Sequence, residues 1–365
     1  MTPFRSSLLS RAGAVEASGL DAGVAAHYGD PFREQRSLAA GEAFVDQSQR
    51  GVVTVSGPDR LSWLTTLSSQ DVSRLSPGDS AELLLLSVQG RIEYDAHIAD
   101  DGEIAWLIVE APEAASLAEW LNSMKFMLRV DVSDVSADWG VLAAAVPLQI
   151  TEPRARWQDP WPGVVPGGFA YSDSQGHPGA ERPWFEYLVP ITELEAISAE
   201  LSTDGMTLAG SLAAEALRIA AWRPRWGAET DEKTIPHELD LIRTAVHLSK
   251  GCYKGQETVA RVHNLGHPPR RLVFLQLDGS QHTLPAAGSA VLLGERQIGI
   301  LTSVAQHYEA GPIGLAVVKR NVDPEADLTV QDGDEAYVAA QEIIVATDAG
   351  QVVGRQSGFL KPSRS

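Results

Sequence analysis

The sequence predicts an α+β protein that ends in a small antiparallel β-barrel. Short strands and amphipathic helices follow one another irregularly up to about residue 270. From Leu272 onward only short β-type runs appear, separated by Gly, Pro and Asp, which is the pattern of a small barrel. With 44% hydrophobic residues the chain has enough apolar material for buried cores, which excludes intrinsic disorder. At roughly 150 residues per domain, a length of 365 residues suggests two or three domains.

Residues 1–40 are rich in Ala, Gly and Ser and read as a lightly structured extension. Residues 41–270 form the α+β region. There Val52 to Val55 reads as a strand closed by the turn Gly57-Pro58-Asp59. Leu61, Leu64 and Leu67 have the spacing of an amphipathic helix. A strand is expected at Leu83 to Val88, then a hairpin pair at Ile92 to Ile98 and Ile104 to Val109. Helix composition follows over Ala114 to Met127, and a further strand begins at Val130. The Pro/Gly/Trp-rich stretch from Thr151 to Gly179 reads as a loop. Phe185 to Val189 reads as a strand leading into a helix, with Thr192 and Glu195 at capping-box spacing. Another helix is expected from Ser211, ending before Pro224. Residues 271–350 form the barrel, with strands at Leu272 to Leu277, Ala290 to Leu293, Gln297 to Val304, Ile313 to Val318 and Tyr337 to Val345. Residues 351–365 read as a loose polar tail.

Charge narrows the possible partners. The net charge is −19, from 29 basic and 48 acidic side chains, so a nucleic-acid duplex or an anionic membrane would be repelled by the average surface. No segment approaches the ~20 apolar residues of a membrane span, and the N-terminus lacks the apolar core of a signal peptide. The only cysteine, Cys252, allows no intrachain disulfide and suits a reducing compartment. A cytoplasmic protein is expected.

Dinucleotide-binding, Walker A, nucleophile-elbow and zinc-protease signatures are all absent from the sequence. His263 and His267 have helical ligand spacing, but Gly266 and Pro268-Pro269 argue for loop histidines, and no metal site is expected. The distinctive segment is Lys250-Gly251-Cys252-Tyr253-Lys254-Gly255-Gln256-Glu257. Two lysines bracket the thiol and would favour the thiolate if they lie close to it. Between Arg243 and Arg271 six basic residues face one acid, a local +5 that can attract an anionic ligand. The plainer alternative makes Cys252 a small buried hydrophobe and the lysines a solvated face.

The segment Lys250 to Glu257, continuing through Thr258-Val259-Ala260-Arg261, resembles the signature of the YgfZ family. These are folate-binding proteins related to the T-protein (aminomethyltransferase) of the glycine-cleavage system. Trp63 to Gly78, Gly90 to Asp95, Leu217-Arg218-Ile219 and Ile235 to Leu239 resemble further T-protein segments. The resemblance implies a three-lobed ring of two α+β lobes and a C-terminal antiparallel β-barrel, with tetrahydrofolate or a related folate in the central channel. It implies that Asp95 meets the pterin, whose adjacent N–H donors one carboxylate can accept together. It also implies that Glu186 binds the pterin, with Glu181-Arg182-Pro183 in place of a glycine-rich lead-in. Arg218 would contact the cofactor or fix the carboxylates. The alternative readings are a surface-strand acid at Asp95 and a helix-surface base at Arg218.

Three functions are consistent with these residues. The first is a folate-dependent accessory protein in iron–sulfur cluster assembly or repair, with Cys252 in a transient thiol role, indirectly supporting iron–sulfur enzymes such as those that modify tRNA. A lone cysteine cannot hold a conventional cluster. The second is an aminomethyltransferase or demethylase centred on Asp95. The third is a non-catalytic binding module that uses the basic island.

Overall fold

Leu83 to Leu86 is an unbroken apolar run, and a strand of that kind must be covered on both faces. The computed structural model, which describes residues 4–172 and 176–350, shows how. The strand Ser80–Leu86 sends Leu83 and Leu85 into one core and Leu84 and Leu86 into another. It is the edge of a five-stranded antiparallel sheet that continues through Ile92–Asp100, Ile104–Val109, Gly51–Ser56 and Asp131–Asp134. Helices α2 (Arg60–Leu67) and α3 (Ala111–Met124) cover the Leu83 face. The expected helix over Ala114 to Met127 therefore starts and stops three residues earlier. Glu110 and Glu113 form a capping box at its start. Leu107, 1% exposed in this core, would cost about 2–5 kcal/mol on truncation to alanine.

The second lobe is a sheet in the order Ala155–Gln158, Phe185–Pro190, Trp139–Ala144, Ala43–Asp46, Thr207–Ala209. Only the last pair is parallel. Helix α4 (Leu194–Thr203) covers one face through Leu194 and Leu201. The two sheets meet through Trp106, Ile108, Val141, Trp157 and Leu188. The capping box expected at Thr192 does not form. Thr192 lies inside a 3-10 turn, Ile191–Glu193, so it cannot stand at the N-cap, and α4 begins after Glu193. Within the stretch expected to be a loop, Ala155–Gln158 is an edge strand. Trp157 and Trp161 are 0% and 1% exposed there. Their indole N–H groups donate to the carbonyls of Ala81 and Ala221 at 2.7 and 2.9 Å.

Residues 4–40 are built into this lobe rather than lightly attached. Helix α1 (Pro31–Ala39) is capped by Asp30, whose carboxylate accepts from the N–H of Arg33 at 3.0 Å. The carboxylate of Glu34 accepts from the backbone N–H groups of Tyr28 and Gly210 at 2.8 and 2.9 Å. Leu38 then packs with Ala213 and Leu217 of α5 (Ser211–Ala220).

The C-terminal lobe closes as the sequence pattern implies. Its six antiparallel strands run in the order Arg270–Leu277, Gly311–Lys319, Arg296–His307, Ala290–Leu293, Leu328–Asp332, Glu335–Ile343, and the last pairs back to the first. The strand Leu328–Asp332 was missed in the sequence because it is short and sits among acidic residues. It still alternates, with Leu328 and Val330 inside. Helix α6 (Gln256–Leu265) leads into the barrel, and one core joins it to α5 and the Leu84 face of the first sheet. The structure is thus two α+β lobes and a barrel, as expected. The tail expected over residues 351–365 lies outside the described residues. Among the described residues no helix is long and apolar enough to cross a membrane.

Candidate functional site

A cavity of about 470 Å³ lies where the two sheets, α5 and the rim of the barrel meet. Five arginines and seven carboxylates line it, so it is a lattice of opposed charges and not a simple basic funnel. Three residues singled out in the sequence, Asp95, Glu186 and Arg218, come together here although they belong to different elements.

Strand alternation places Asp95 and His97 on the cavity side of Ile92–Asp100. The Asp95 carboxylate accepts no hydrogen bond from the described residues, and its Oδ1 is buried without a partner. Burial, reinforced by the charge of Glu82, raises its pKa to about 7 against the pull of His97, Arg223 and Arg50. Behind it, Glu113 accepts from the backbone N–H of Asp95 at 3.2 Å, and burial followed by the Asp95 charge lifts its own pKa to about 9.

Glu186, 1% exposed, is held between two bases. Its Oε2 lies 2.8 Å from His97 Nδ1 and its Oε1 lies 3.4 Å from Arg50 Nη1. Burial alone would raise its pKa, but His97 and Arg50 overcome this and hold it down at about 2. The His97 ring stacks on Trp157 at 3.7 Å and 3°. Glu186 is thus a fixed carboxylate that orients His97 beside Asp95.

Arg218 is paired with carboxylates of the fold. It donates to both oxygens of Glu215, to Glu229 at 2.9 Å and to Ser303 Oγ at 2.6 Å. Burial disfavours its charge, but Glu215 and Glu229 raise the pKa above the ordinary arginine value. It lines the cavity while fixing carboxylates. Sequence reasoning missed Arg50, His97, Arg223 and Arg225. Arg225 clamps Glu110 at 2.8 and 2.9 Å and reaches Asp21 at 2.8 Å. Arg223 donates from Nη2 to Glu82 at 2.7 Å and from Nε to Asp159 at 3.1 Å, while its Nη1 is buried without a partner. The signal that could have found two of these is the arginine density of Arg218-Ile219-Ala220-Ala221-Trp222-Arg223-Pro224-Arg225.

The segment Lys250 to Glu257 lies elsewhere. Cys252 is a free, exposed thiol and does not line the cavity. The lysines expected to bracket it are turned to other partners. Lys250 Nζ donates to the carbonyls of Thr65, Ser68 and Gln70, which closes the C-terminal end of α2, and burial lowers its pKa to about 8. Lys254 pairs with Glu93 at 2.9 Å and lies over Trp120. Tyr253 is buried under Lys250, and Gln256 reaches back to the Lys250 carbonyl at 3.3 Å. Gly255 has φ 86°, and a Cβ there would stand 2.5 Å from the Ser87 carbonyl oxygen, so the turn requires glycine. Gly251 is open, and Glu257 pairs with Arg261 on the surface.

The +5 island dissolves in three dimensions. Arg243 pairs with Asp240, Arg270 with Asp231 and Glu238, and Arg271 is 0% exposed with Gln341 as a partner. The neutralising acids lie outside the segment that was counted. His263 sits on α6 and not in a loop, bonded to the Tyr171 hydroxyl at 2.8 Å, while His267 meets the Ala349 carbonyl at 2.8 Å. Among the described residues no group of side chains has the arrangement of a metal site.

This combination of lobes and central cavity has counterparts among known proteins. Residues 25–148 match the GCVT N-terminal domain family. The crystal structure of glycine cleavage system aminomethyltransferase T from Bartonella henselae superposes with a TM-score of 0.72 at 18% identity. The match covers 94% of this chain and 97% of that one, a likeness of fold. Among curated proteins, an aminomethyltransferase of Moorella thermoacetica is 27% identical over 328 residues, covering 86% of each chain. "Putative transferase At1g60990, chloroplastic" of Arabidopsis thaliana is 26% identical over 302 residues, which are 77% of this chain and 66% of that protein. The chain is therefore GCVT-like: the family model matches residues 25–148, and the likeness of fold extends over 94% of the chain.

Proposed function

We propose that the protein binds tetrahydrofolate in the central cavity and acts as an accessory protein in iron–sulfur cluster assembly or repair. The observation that carries the folate reading is Asp95, a buried carboxylate with an unpartnered oxygen on the wall of a 470 Å³ cavity. An unsatisfied buried acceptor is costly, and a ligand with adjacent N–H donors, such as a pterin, satisfies it. The cavity volume lies within the range of small-molecule sites. The residues present therefore fit the group. Asp95 would hold the pterin, the Trp157–His97 stack would wall it, and the Glu186–Arg50 pair would keep His97 in place. Bound tetrahydrofolate supplies a carrier for one-carbon units.

The accessory role rests on the resemblance of Lys250 to Glu257 to the YgfZ signature and on the exposure of Cys252. In this reading a thiol outside the cavity would serve transient exchange with a partner, such as an iron–sulfur assembly protein or an iron–sulfur enzyme, and not chemistry on the folate. The second reading, a folate-dependent aminomethyltransferase or demethylase, is favoured by the same separation, because Asp95 then acts in the cavity without Cys252. The third reading, a docking module, has lost the basic island that suggested it.

Tetrahydrofolate titrations of wild type, Asp95→Ala and Cys252→Ala test the proposal. We expect Asp95→Ala to lose binding and Cys252→Ala to keep it while failing to support iron–sulfur enzymes in cells. Full support by Cys252→Ala removes the thiol role. Methylene-tetrahydrofolate formation from an N-methyl or aminomethyl donor decides for the second reading.

A further inference from the structure

We propose that Arg223, together with Asp95, reads the oxo-amide edge of a pteridine, so that the cavity selects 4-oxo folates over their 4-amino counterparts. The inference rests on the folate reading and goes further by assigning a specificity determinant. Three polar atoms of the cavity lining are buried without partners, Gln47 Oε1, Asp95 Oδ1 and Arg223 Nη1, and the last two are chemically opposite. Asp95 Oδ1 is an acceptor and Arg223 Nη1 a donor.

Both side chains line the same cavity, and each charge favours the ionised form of the other. They nevertheless form no ion pair, because the Arg223 pairs run to Glu82 and Asp159. Those two bonds and the Trp161 ring, 5.1 Å from the guanidinium carbon, fix the orientation of the planar group. Its third nitrogen is therefore a committed donor and not a floating one. Arg223 is 7% exposed, so no bulk water compensates that nitrogen. The neighbouring arginines differ. Arg218 spends its donors on Glu215, Glu229, Ser303 and a carbonyl, and Arg225 on Glu110 and Asp21.

A carboxylate beside a guanidinium N–H is complementary to a ligand edge that offers N–H donors next to a carbonyl oxygen. The 4-oxopteridine has this edge, with its 2-amino group and N3–H for Asp95 and its 4-oxo oxygen for Arg223. A 4-amino pteridine presents an N–H where Arg223 also presents one, and its N3 carries no hydrogen for Asp95. Sites built to hydrogen-bond one group reject the analogue that leaves their buried donors unpaired.

The test compares tetrahydrofolate with tetrahydroaminopterin, which differ only in 4-oxo against 4-amino, by calorimetric titration of the full chain. We expect wild type to prefer the 4-oxo compound by about tenfold or more. Arg223→Lys should lose most of that preference through weaker tetrahydrofolate binding. Equal affinity of wild type for both compounds overturns the proposal while leaving the folate reading intact, and no binding of either compound overturns that reading itself. The wild-type comparison stands even if Arg223→Lys fails to fold, and circular dichroism of the variant identifies that case.

Discussion

The central cavity and the Lys250–Glu257 loop are both polar, but they handle hydrogen bonding in opposite ways. In the loop nearly every polar group is used by the fold. Lys250 closes α2, Lys254 pairs with Glu93 and Gln256 bonds the Lys250 carbonyl. The Cys252 thiol is left free and exposed. In the cavity dense ion pairing leaves capacity unspent at Asp95 Oδ1 and Arg223 Nη1. Saturated polar groups build a scaffold, whereas buried unsatisfied ones mark where a ligand completes the structure. The segment that looks most functional in the sequence is thus a mount for one thiol, and the residues that line the cavity are spread along the chain.

That contrast can be broken most forcefully at Glu186. Glu186→Ala strips the buried partner from Arg50 and His97, so stability should fall by about 3–5 kcal/mol in denaturant unfolding. A loss below ~1 kcal/mol would mean that the cavity lattice is not held by this pair. Asp95→Asn should act in the reverse sense. It removes a buried charge that no side chain satisfies, so stability should hold or rise while tetrahydrofolate affinity falls at least about tenfold, by the loss of a charged hydrogen bond.

A pH series sharpens the same distinction. The folded pKa of Asp95, about 7, stands above the unfolded value of about 3.9, so the native state holds more protons between these limits. Stability should therefore decline as pH rises from about 4 through 7. Folate affinity should rise over the upper part of that window, as the carboxylate ionises into a better acceptor. Asp95→Asn should flatten the affinity profile and remove the Asp95 share of the stability decline, leaving the share of Glu113, whose folded pKa is also raised, to about 9. An unchanged affinity profile in the variant would detach Asp95 from the ligand. In the loop the expected effects are smaller. Lys250→Ala leaves three carbonyls uncapped and should cost about 1–3 kcal/mol. Cys252→Ala should stay within about 0.5 kcal/mol in thermal unfolding.

The same contrast explains what the sequence could reveal. The barrel was legible because its apolar runs alternate locally, and the first sheet because Leu83 to Leu86 and Ile104 to Val109 carry strong strand patterns. Asp95, Glu186 and Arg218 were found by resemblance, and all three line the cavity. What stayed hidden depends on pairing over long chain separations. Arg50 meets Glu186 across 136 residues and Arg223 meets Glu82 across 141. The +5 count around Cys252 misled for the same reason, since Arg243 and Arg270 find acids at Asp231, Glu238 and Asp240, and Lys254 finds Glu93. Local charge sums register cations but not the distant partners that neutralise them. Residues 4–40 were misread because small residues give weak periodicity, although Leu8, Val24 and Leu38 are each 0% exposed.

In the proposed function folate binds in the cavity through Asp95 and not at the Cys252 loop. Calorimetric titration of tetrahydrofolate at pH 8 into wild type, Asp95→Asn and Cys252→Ala tests it most directly. Equal affinities for wild type and Cys252→Ala, with binding at least about tenfold weaker in Asp95→Asn, is the predicted result. Unchanged binding by Asp95→Asn, or loss of binding in Cys252→Ala, would contradict it.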